Sequence, residues 1–485
     1  MNPWRQTRAE REAAIARLDV QLRADPLSIG LALDRARLLA ELDRDDEARD
    51  DYLRLLAREP DHPRALNDFG TFLLQRGFRA AARTVYERAA ALDPASALAH
   101  ANLANVLFAE TDYVAARSHY EAALAIDPER AAAHQGLSYT LARLGLDDDA
   151  VEHRRRGFAG RAIHTAAYRG TARPLDVLLL VCAAGGTLYT ESFLDDRVFR
   201  TTTVAVDMYD GTPLPPCDVV FNAISDADRS GAALGGAQRI LAGIARPVVN
   251  APARVLATAR SAAAAQFAPL EGVVAPRIAG VALAELRAAG AAVAEAAGFT
   301  FPLLVRAPGF HTGAHFVRVE RPGDLVDAIA GFPGRDALLV EYVDLRGAEG
   351  RVRKYRVMTI DGVLYPLHVA VSREWKVHYF SADMASDAAN RAEDARFLAD
   401  PAAAIGAPAW AALGRIRDVL GLEYAGIDFG IDGSGRVVVF EANATMIVLA
   451  PGPEAIWDYR RAPVERVVGA VRAMLLARRR LRPLQ

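Results

Sequence analysis

Asp428 is followed thirteen residues later by Glu441-Ala442-Asn443, and the residues between them carry the signals of one β-hairpin. Tyr424–Ile431 and Val437–Glu441 are strand-like, and Asp432-Gly433-Ser434-Gly435 is strong turn chemistry. A turn centred on Ser434-Gly435 sets Asp428 directly across from Glu441, whereas a looser four-residue loop makes them diagonal neighbours. Glu441 and Asn443 are two apart on a strand and share a face. Facing carboxylates repel unless a cation lies between them. Two carboxylates and an amide oxygen, with no His or Cys nearby, form the hard oxygen set that suits Mg²⁺ or Mn²⁺.

Other candidates lie upstream in the same half of the chain. Phe301–Arg306 reads as an apolar strand ending in a basic residue. Ala307–Gly313 then forms a Gly- and hydroxyl-containing loop, with His311, Thr312 and Gly313, whose backbone N–H groups suit phosphate oxygens. Leu339-Val340-Glu341 is a strand ending in an acid, followed by Tyr342-Val343. Lys354 and Arg356 alternate and so share a face of the next strand, open to either phosphate contact or a surface ion pair. Lys354 and Lys376 are the only lysines among 58 basic residues, so arginine is the default base and most arginines need no functional account. Lys376 and His378 share a face in the segment Pro366–Phe380, and both are candidates for ligand contact. His368, in the same segment, reads as a core histidine.

These residues require a scaffold of strands. Asp176–Ala183, Asp218–Ala223 and Pro247–Asn250 read as buried parallel strands, with helix between the last two. Gly185-Gly186 reads as a tight turn more than a phosphate loop. Ala253–Ala268 and Leu283–Ala297 are Ala-rich helices. Strands Leu303–Arg306 and Leu338–Val343 follow, then a hairpin Arg356–Thr359/Leu364–Val371 around Asp361-Gly362. A helical stretch after Ala388 leads to the Asp428 hairpin.

The first third of the chain is built differently. Pro26, Pro60, Pro94 and Pro128 are spaced 34 residues apart, each after an acid, which indicates stacked helical hairpins. Gly70, Ala104 and Ser138 recur in phase as small residues, as do Ala48, Ala82, Ala116 and Ala150, and the aromatics Tyr52, Tyr86 and Tyr120. This pattern resembles the tetratricopeptide repeat family over roughly residues 29–160, about four repeats. The end repeats are less faithful, with Arg35 and Arg154 at usually apolar positions. The expected organisation is a repeat solenoid at 1–160, a linker at 161–174, an α/β lobe at 175–255 and a larger α+β domain at 256–485.

With 485 residues and 52% hydrophobic content, several cores can be buried. A net charge of −2 gives no electrostatic case for nucleic acid or an acidic membrane as partner. A polar N-terminus, the lack of an 18-residue apolar run and only two cysteines, Cys182 and Cys217, lead to the expectation of a soluble cytoplasmic protein without disulfides.

Taken in order, the parts of the second half resemble the ATP-grasp superfamily, close to glutathione synthetase, D-alanine–D-alanine ligase and RimK-type ligases. The resemblance covers about Leu175 to Ala477. It includes Val248-Val249-Asn250-Ala251-Pro252, similar to a Val-Asn-Ser/Ala-Pro turn of those enzymes. It implies ATP and Mg²⁺ (or Mn²⁺) as cofactors, with Asp428, Glu441 and Asn443 holding metal. Arg306 and Arg260 would reach phosphates, where those families usually carry lysines. The 309–315 loop would fold over the nucleotide, with His311 as a lid residue, and Glu341, Tyr342 and Val343 would form an adenine hinge. Arg356 would contact the transferred phosphoryl group. The segment 366–380 matches no acceptor pattern.

The implied function is ATP-dependent carboxylate–amine ligation through an acyl phosphate, the carboxylate and amine being undefined. A tetratricopeptide scaffold with a nucleotide-binding but non-catalytic domain, or a phosphotransferase, are the alternatives. The repeats are expected to recruit a peptide, protein or carrier-borne substrate, or to mediate self-association.

Overall fold

The computed structural model describes residues 8–308, 313, 315–377, 379 and 382–479. The chain divides into two compact units: Met1–Pro174 with Asp196–Leu214, and Leu175–Asp195 with Pro215–Gln485.

The first unit contains the repeats. Its described helices are α1 (Arg8–Ala24), α2 (Ile29–Glu41), α3 (Asp45–Arg58), α4 (Pro63–Gln75), α5 (Arg79–Leu92), α6 (Ala97–Ala109), α7 (Tyr113–Ile126), α8 (Ala131–Arg143) and α9 (Asp147–Phe158). From α2 onward they form four hairpins on the 34-residue period, with Pro26, Pro60, Pro94 and Pro128 in the turns between hairpins. Ser28, His62 and Ser96 each cap the following helix by accepting from the N–H three residues on. The in-phase residues are the core: Ala48, Ala82, Ala116 and Ala150 are fully buried, and so nearly are Tyr52, Tyr86 and Tyr120. Small residues are required where the helices touch, since a Cβ on Gly70 would lie 2.7 Å from the Tyr86 ring. Arg35, at a position where an apolar residue was expected, is compensated by Asp19 at 2.6 Å and by Asp51. The stretch expected as a linker includes the strand Ile163–Thr165, paired antiparallel with Phe199–Ala205.

In the second unit, Leu175–Val181, Val219–Asn222 and Val248–Val249 pair in parallel, as their continuous apolar character requires. Gly185 and Gly186 both have positive φ and make the tight turn after the first strand. The two Ala-rich helices are each broken, into Pro252–Leu256 and Arg260–Phe267, and into Leu283–Ala289 and Ala291–Ala296, the second at Gly290 with φ 55°. A four-stranded sheet orders Ile278–Ala282, Asp336–Glu341, Leu303–Arg306 and Phe316–Val319. A five-stranded sheet orders Val363–Ser372, Val352–Ile360, Tyr424–Ile431, Val437–Asn443 and Val273–Val274. The helix Arg461–Arg478 closes the unit, burying Val467, Val471 and Leu475.

Asn250 fastens the parallel strands to the five-stranded sheet. Its Nδ2 donates to the Tyr424 carbonyl at 2.8 Å while its Oδ1 accepts from the Tyr424 N–H at 2.9 Å. Among the described residues no helix is long and apolar enough to cross a membrane.

Candidate functional site

The five-stranded sheet carries a row of chemically active residues. His368 faces Arg356, Arg356 faces Asp428, and Asp428 faces Glu441, on four adjacent strands. Both register irregularities of these strands flank the row, one after Arg356 and one after Asp428. The second explains how Asp428 comes to face Glu441. The hairpin pairs Ile431 with Val437 and Phe429 with Val439, a ladder centred on Ser434 that would set Asp428 opposite Phe440. A bulge at Phe440, whose side chain is exposed, shifts the pairing by one residue. The pairing expected from a turn centred on Ser434-Gly435 is thus reached by a different route.

Asp428 is 1% exposed. Arg356 grips it with Nε at 2.5 Å and Nη2 at 2.8 Å, and Lys354 Nζ lies 2.6 Å away, as their shared face requires. Burial opposes its charge, but Arg356 and then Lys354 outweigh burial and hold the carboxyl well below the usual carboxylate range. Glu441 accepts from Arg260 Nη2 at 2.8 Å and from Asn443 Nδ2 at 2.9 Å, so Glu441 and Asn443 do share a face. Burial again opposes the Glu441 charge, while Arg260 and Arg306 depress its pKa. Asn443 Oδ1 accepts from Thr445 N and Oγ1.

Arg260 begins its helix with its side chain largely covered, bridging Glu441 to Asp228. Arg306, at the end of its strand in the four-stranded sheet, is half-buried. Desolvation first, and then the like charge of Arg260, lower its pKa. Four cations therefore converge on two carboxylates of the hairpin, with Asp228 and Asp226 supplying further negative charge. Such a cluster can exchange partners with an incoming polyanion, and its oxygens can hold a hard cation. Among the described residues no group of three or more His, Cys, Asp or Glu is placed to hold a metal, so the hairpin set rests on two carboxylates and an amide.

Lys376 lies apart from this row. Its Nζ donates to the carbonyls of Gly313 and Phe316 at 3.0 and 3.2 Å, tying the 366–380 segment to the end of the Gly-containing loop. His311, Thr312 and His378 lie outside the described residues. Glu341 accepts from the Arg277 N–H at 3.0 Å, and the Tyr342 ring is covered by Arg318 at 4.0 Å, with Val343 next in the chain. A cavity of about 410 Å³, lined by Arg351, Ser372, Arg373, Asp383, Asp387 and Asn390, opens where strands Val352–Ile360 and Val363–Ser372 end away from their turn.

Sequence reading missed two acids, Asp228 and Asp394. Asp228 lies in a loop without pattern, and only its partner Arg260 gives it meaning. His368, read as a core histidine, is buried as expected, and it stands opposite Arg356 on the ladder. Asp394 is fully buried, accepting from Val369 N and Tyr459 Oη at 2.8 Å each, and burial raises its pKa to about 6. The only available signal was an Asp on the inner face of a helix.

Comparison with known proteins bears on the first unit. Residues 107–153 match the tetratricopeptide repeat family. Similar solved structures include MamA from Desulfovibrio magneticus RS-1, 25% identical over 30% of this chain and 82% of that one, with a TM-score of 0.27. PilF of Pseudomonas aeruginosa is 21% identical over 32% and 70%, with a TM-score of 0.30. PilW, a type IV pilus biogenesis factor, is 23% identical over 31% and 70%, with a TM-score of 0.29. No curated protein matches the chain. The chain thus joins a helical region of tetratricopeptide type to a mixed α/β region with several sheets.

Proposed function

We propose that the second unit is an ATP- and Mg²⁺-dependent carboxylate–amine ligase of the ATP-grasp kind, forming an amide through an acyl phosphate. The supporting observation is the row Arg356–Asp428–Glu441 with Lys354, Arg260 and Arg306 around it. Bound Mg²⁺ and ATP would supply the phosphoryl group and neutralise its charge. The residues fit that pair. Asp428 and Glu441 offer hard carboxylate oxygens on adjacent strands, and Asn443 adds an amide oxygen that Thr445 now engages. On binding, the carboxylates would turn from guanidinium to metal, and Arg356, Lys354, Arg260 and Arg306 from carboxylate to phosphate. That exchange leaves no buried charge without a partner. The Lys376 contacts to Gly313 and Phe316 would help exclude water from an acyl phosphate, which hydrolyses readily.

The test is direct. Protein with Mg²⁺ is expected to bind ATP and to release ADP and phosphate with some member of a panel of amino acids and small peptides. Glu441→Ala is expected to abolish turnover. Failure to bind ATP at millimolar concentration would sink the proposal. One observation favours a second reading: Asp428 already holds three donor contacts, which suits a nucleotide-binding domain without chemistry on a repeat scaffold. Release of ADP and phosphate excludes it, while ADP with a phosphorylated product and no free phosphate indicates a phosphotransferase.

A further inference from the structure

Two pairs of histidines in the repeats stand apart from everything proposed for the second unit. His100 on α6 and His119 on α7 bring their Nδ1 atoms to 3.0 Å, and His134 on α8 and His153 on α9 bring theirs to 2.8 Å. The pairs are one 34-residue period apart, so the same repeat positions carry them twice. One period before His100 and His119 those positions hold Leu66 and Val85, both part of the hydrophobic core. Two periods before, they hold Ala32 and Asp51, so the histidine pair belongs to the last two repeats alone. Imidazoles lose hydration, and burial, followed by the partner ring, lowers the pKa of both His119 and His153.

Each pair is oriented from behind. His100 Nε2 lies 3.2 Å from the Pro94 carbonyl, and His134 Nε2 lies 2.9 Å from the Pro128 carbonyl. A carbonyl only accepts, so Nε2 of each of these rings carries a proton, and the tautomer with that single proton presents the Nδ1 lone pair to its partner. Metal-binding histidines are oriented in this way, by donating the other ring N–H to a backbone carbonyl. Without an ion, His119 or His153 donates its Nδ1–H into that lone pair. Moving that proton to its own Nε2 makes both Nδ1 atoms ligands with no net loss of a proton. Two nitrogens held tetrahedrally at zinc distances of about 2.0–2.1 Å stand roughly 3.4 Å apart, a few tenths of an ångström wider than observed.

A carboxylate recurs beside each pair. Glu87 acts on His119 and Glu121 on His153, again one period apart, and each now pairs with the arginine one turn earlier, Arg83 or Arg117. No third ligand is in place among the described residues, so water or a rotated glutamate would complete the coordination. We propose that each histidine pair is a two-nitrogen site for a divalent ion of the zinc, copper and nickel class, clamping the two helices of its repeat.

The test uses the full chain, stripped with chelator and titrated with ZnCl₂ by calorimetry and with CuCl₂ by electron paramagnetic resonance. Two ions per chain with nitrogen coupling are expected, together with a higher melting temperature of the helical signal. His119→Val and His153→Val, which restore the residue type of Val85, are each expected to remove one ion while the protein stays folded. The double variant is expected to remove both, whereas Glu441→Ala leaves them in place. Absence of uptake at millimolar metal, or unchanged stoichiometry in the folded double variant, would overturn the proposal and leave the pairs as hydrogen-bonded packing contacts.

Discussion

Asp428→Asn isolates the energetics of the row. The substitution keeps the side-chain shape but removes the charge that accepts three donor contacts, from Arg356 at 2.5 and 2.8 Å and from Lys354 at 2.6 Å. Removing one partner of a buried pair costs about 3–5 kcal/mol, because the remaining charge stays desolvated. The Arg356 and Lys354 side chains are 21% and 22% exposed, so water reaches them and the lower figure, about 3 kcal/mol, is expected. Urea unfolding followed by tryptophan fluorescence is a suitable assay, since Trp375, Trp410 and Trp457 all lie in the second unit. The midpoint should fall with the slope unchanged. Acid provides a second arm. Burial alone would raise the Asp428 pKa, but Arg356 and Lys354 bring it below the ordinary 3.8. A folded-state pKa below the unfolded one gives stability that is present above the unfolded value and is lost as pH falls through the folded one. The gap between wild type and Asp428→Asn is therefore flat from about pH 5 to 7 and closes below about pH 4. Replacing Arg356 by Met as well should restore part of the loss, since no stranded guanidinium remains. A gap under about 1 kcal/mol at pH 7, or one that widens in acid, would refute the reasoning.

Three further outcomes are expected. Gly136→Ala would place a Cβ 2.2 Å from the Tyr120 ring, which Asn105 holds at 2.5 Å; a loss of about 1–3 kcal/mol should appear in thermal melts of the helical signal. Burial raises Asp394 from 3.8 to about 6, so the folded state holds an extra proton in that window. Stability should fall by about 3 kcal/mol as pH rises through it, and Asp394→Asn should remove that slope in urea midpoints taken at low and neutral pH. Protein starting near Ala162 should keep ATP binding and show a raised KM with kcat preserved, if the repeats recruit substrate. Unchanged KM and oligomeric state in that variant would assign the repeats another task.

The repeats were legible because prolines, small residues and tyrosines fall on one period, and each position answers to a single packing constraint. The hairpin was legible in outline, since Asp432–Gly435 fixes where it turns. The bulge at Phe440 was not legible, because an extra residue in a strand leaves no local signature until its partner strand is known. The partners of Arg260 were not legible for the same reason: its two carboxylates, Asp228 and Glu441, come from distant parts of the chain. His368 was read as core and is buried, with Arg356 opposite it across the ladder. Lys376 was placed near phosphate by proximity in sequence, whereas its described contacts are backbone carbonyls of the loop.

The paired contacts of Asn250 with Tyr424 reproduce, with a side-chain amide, the two-bond exchange that joins opposed residues of an antiparallel ladder. Chemically, the side chain acts there as a transplanted peptide group, and this narrows what the position can accept. Asp offers the acceptor but no donor, Leu offers neither, and Gln carries the amide one methylene too far. The backbone adds a second filter, since φ at Asn250 is 57° and a branched side chain would be strained there. Among twenty residue types, only asparagine meets both demands. The Tyr424 amide proton, at the first residue of its strand, should accordingly exchange with solvent as slowly as those inside the sheet.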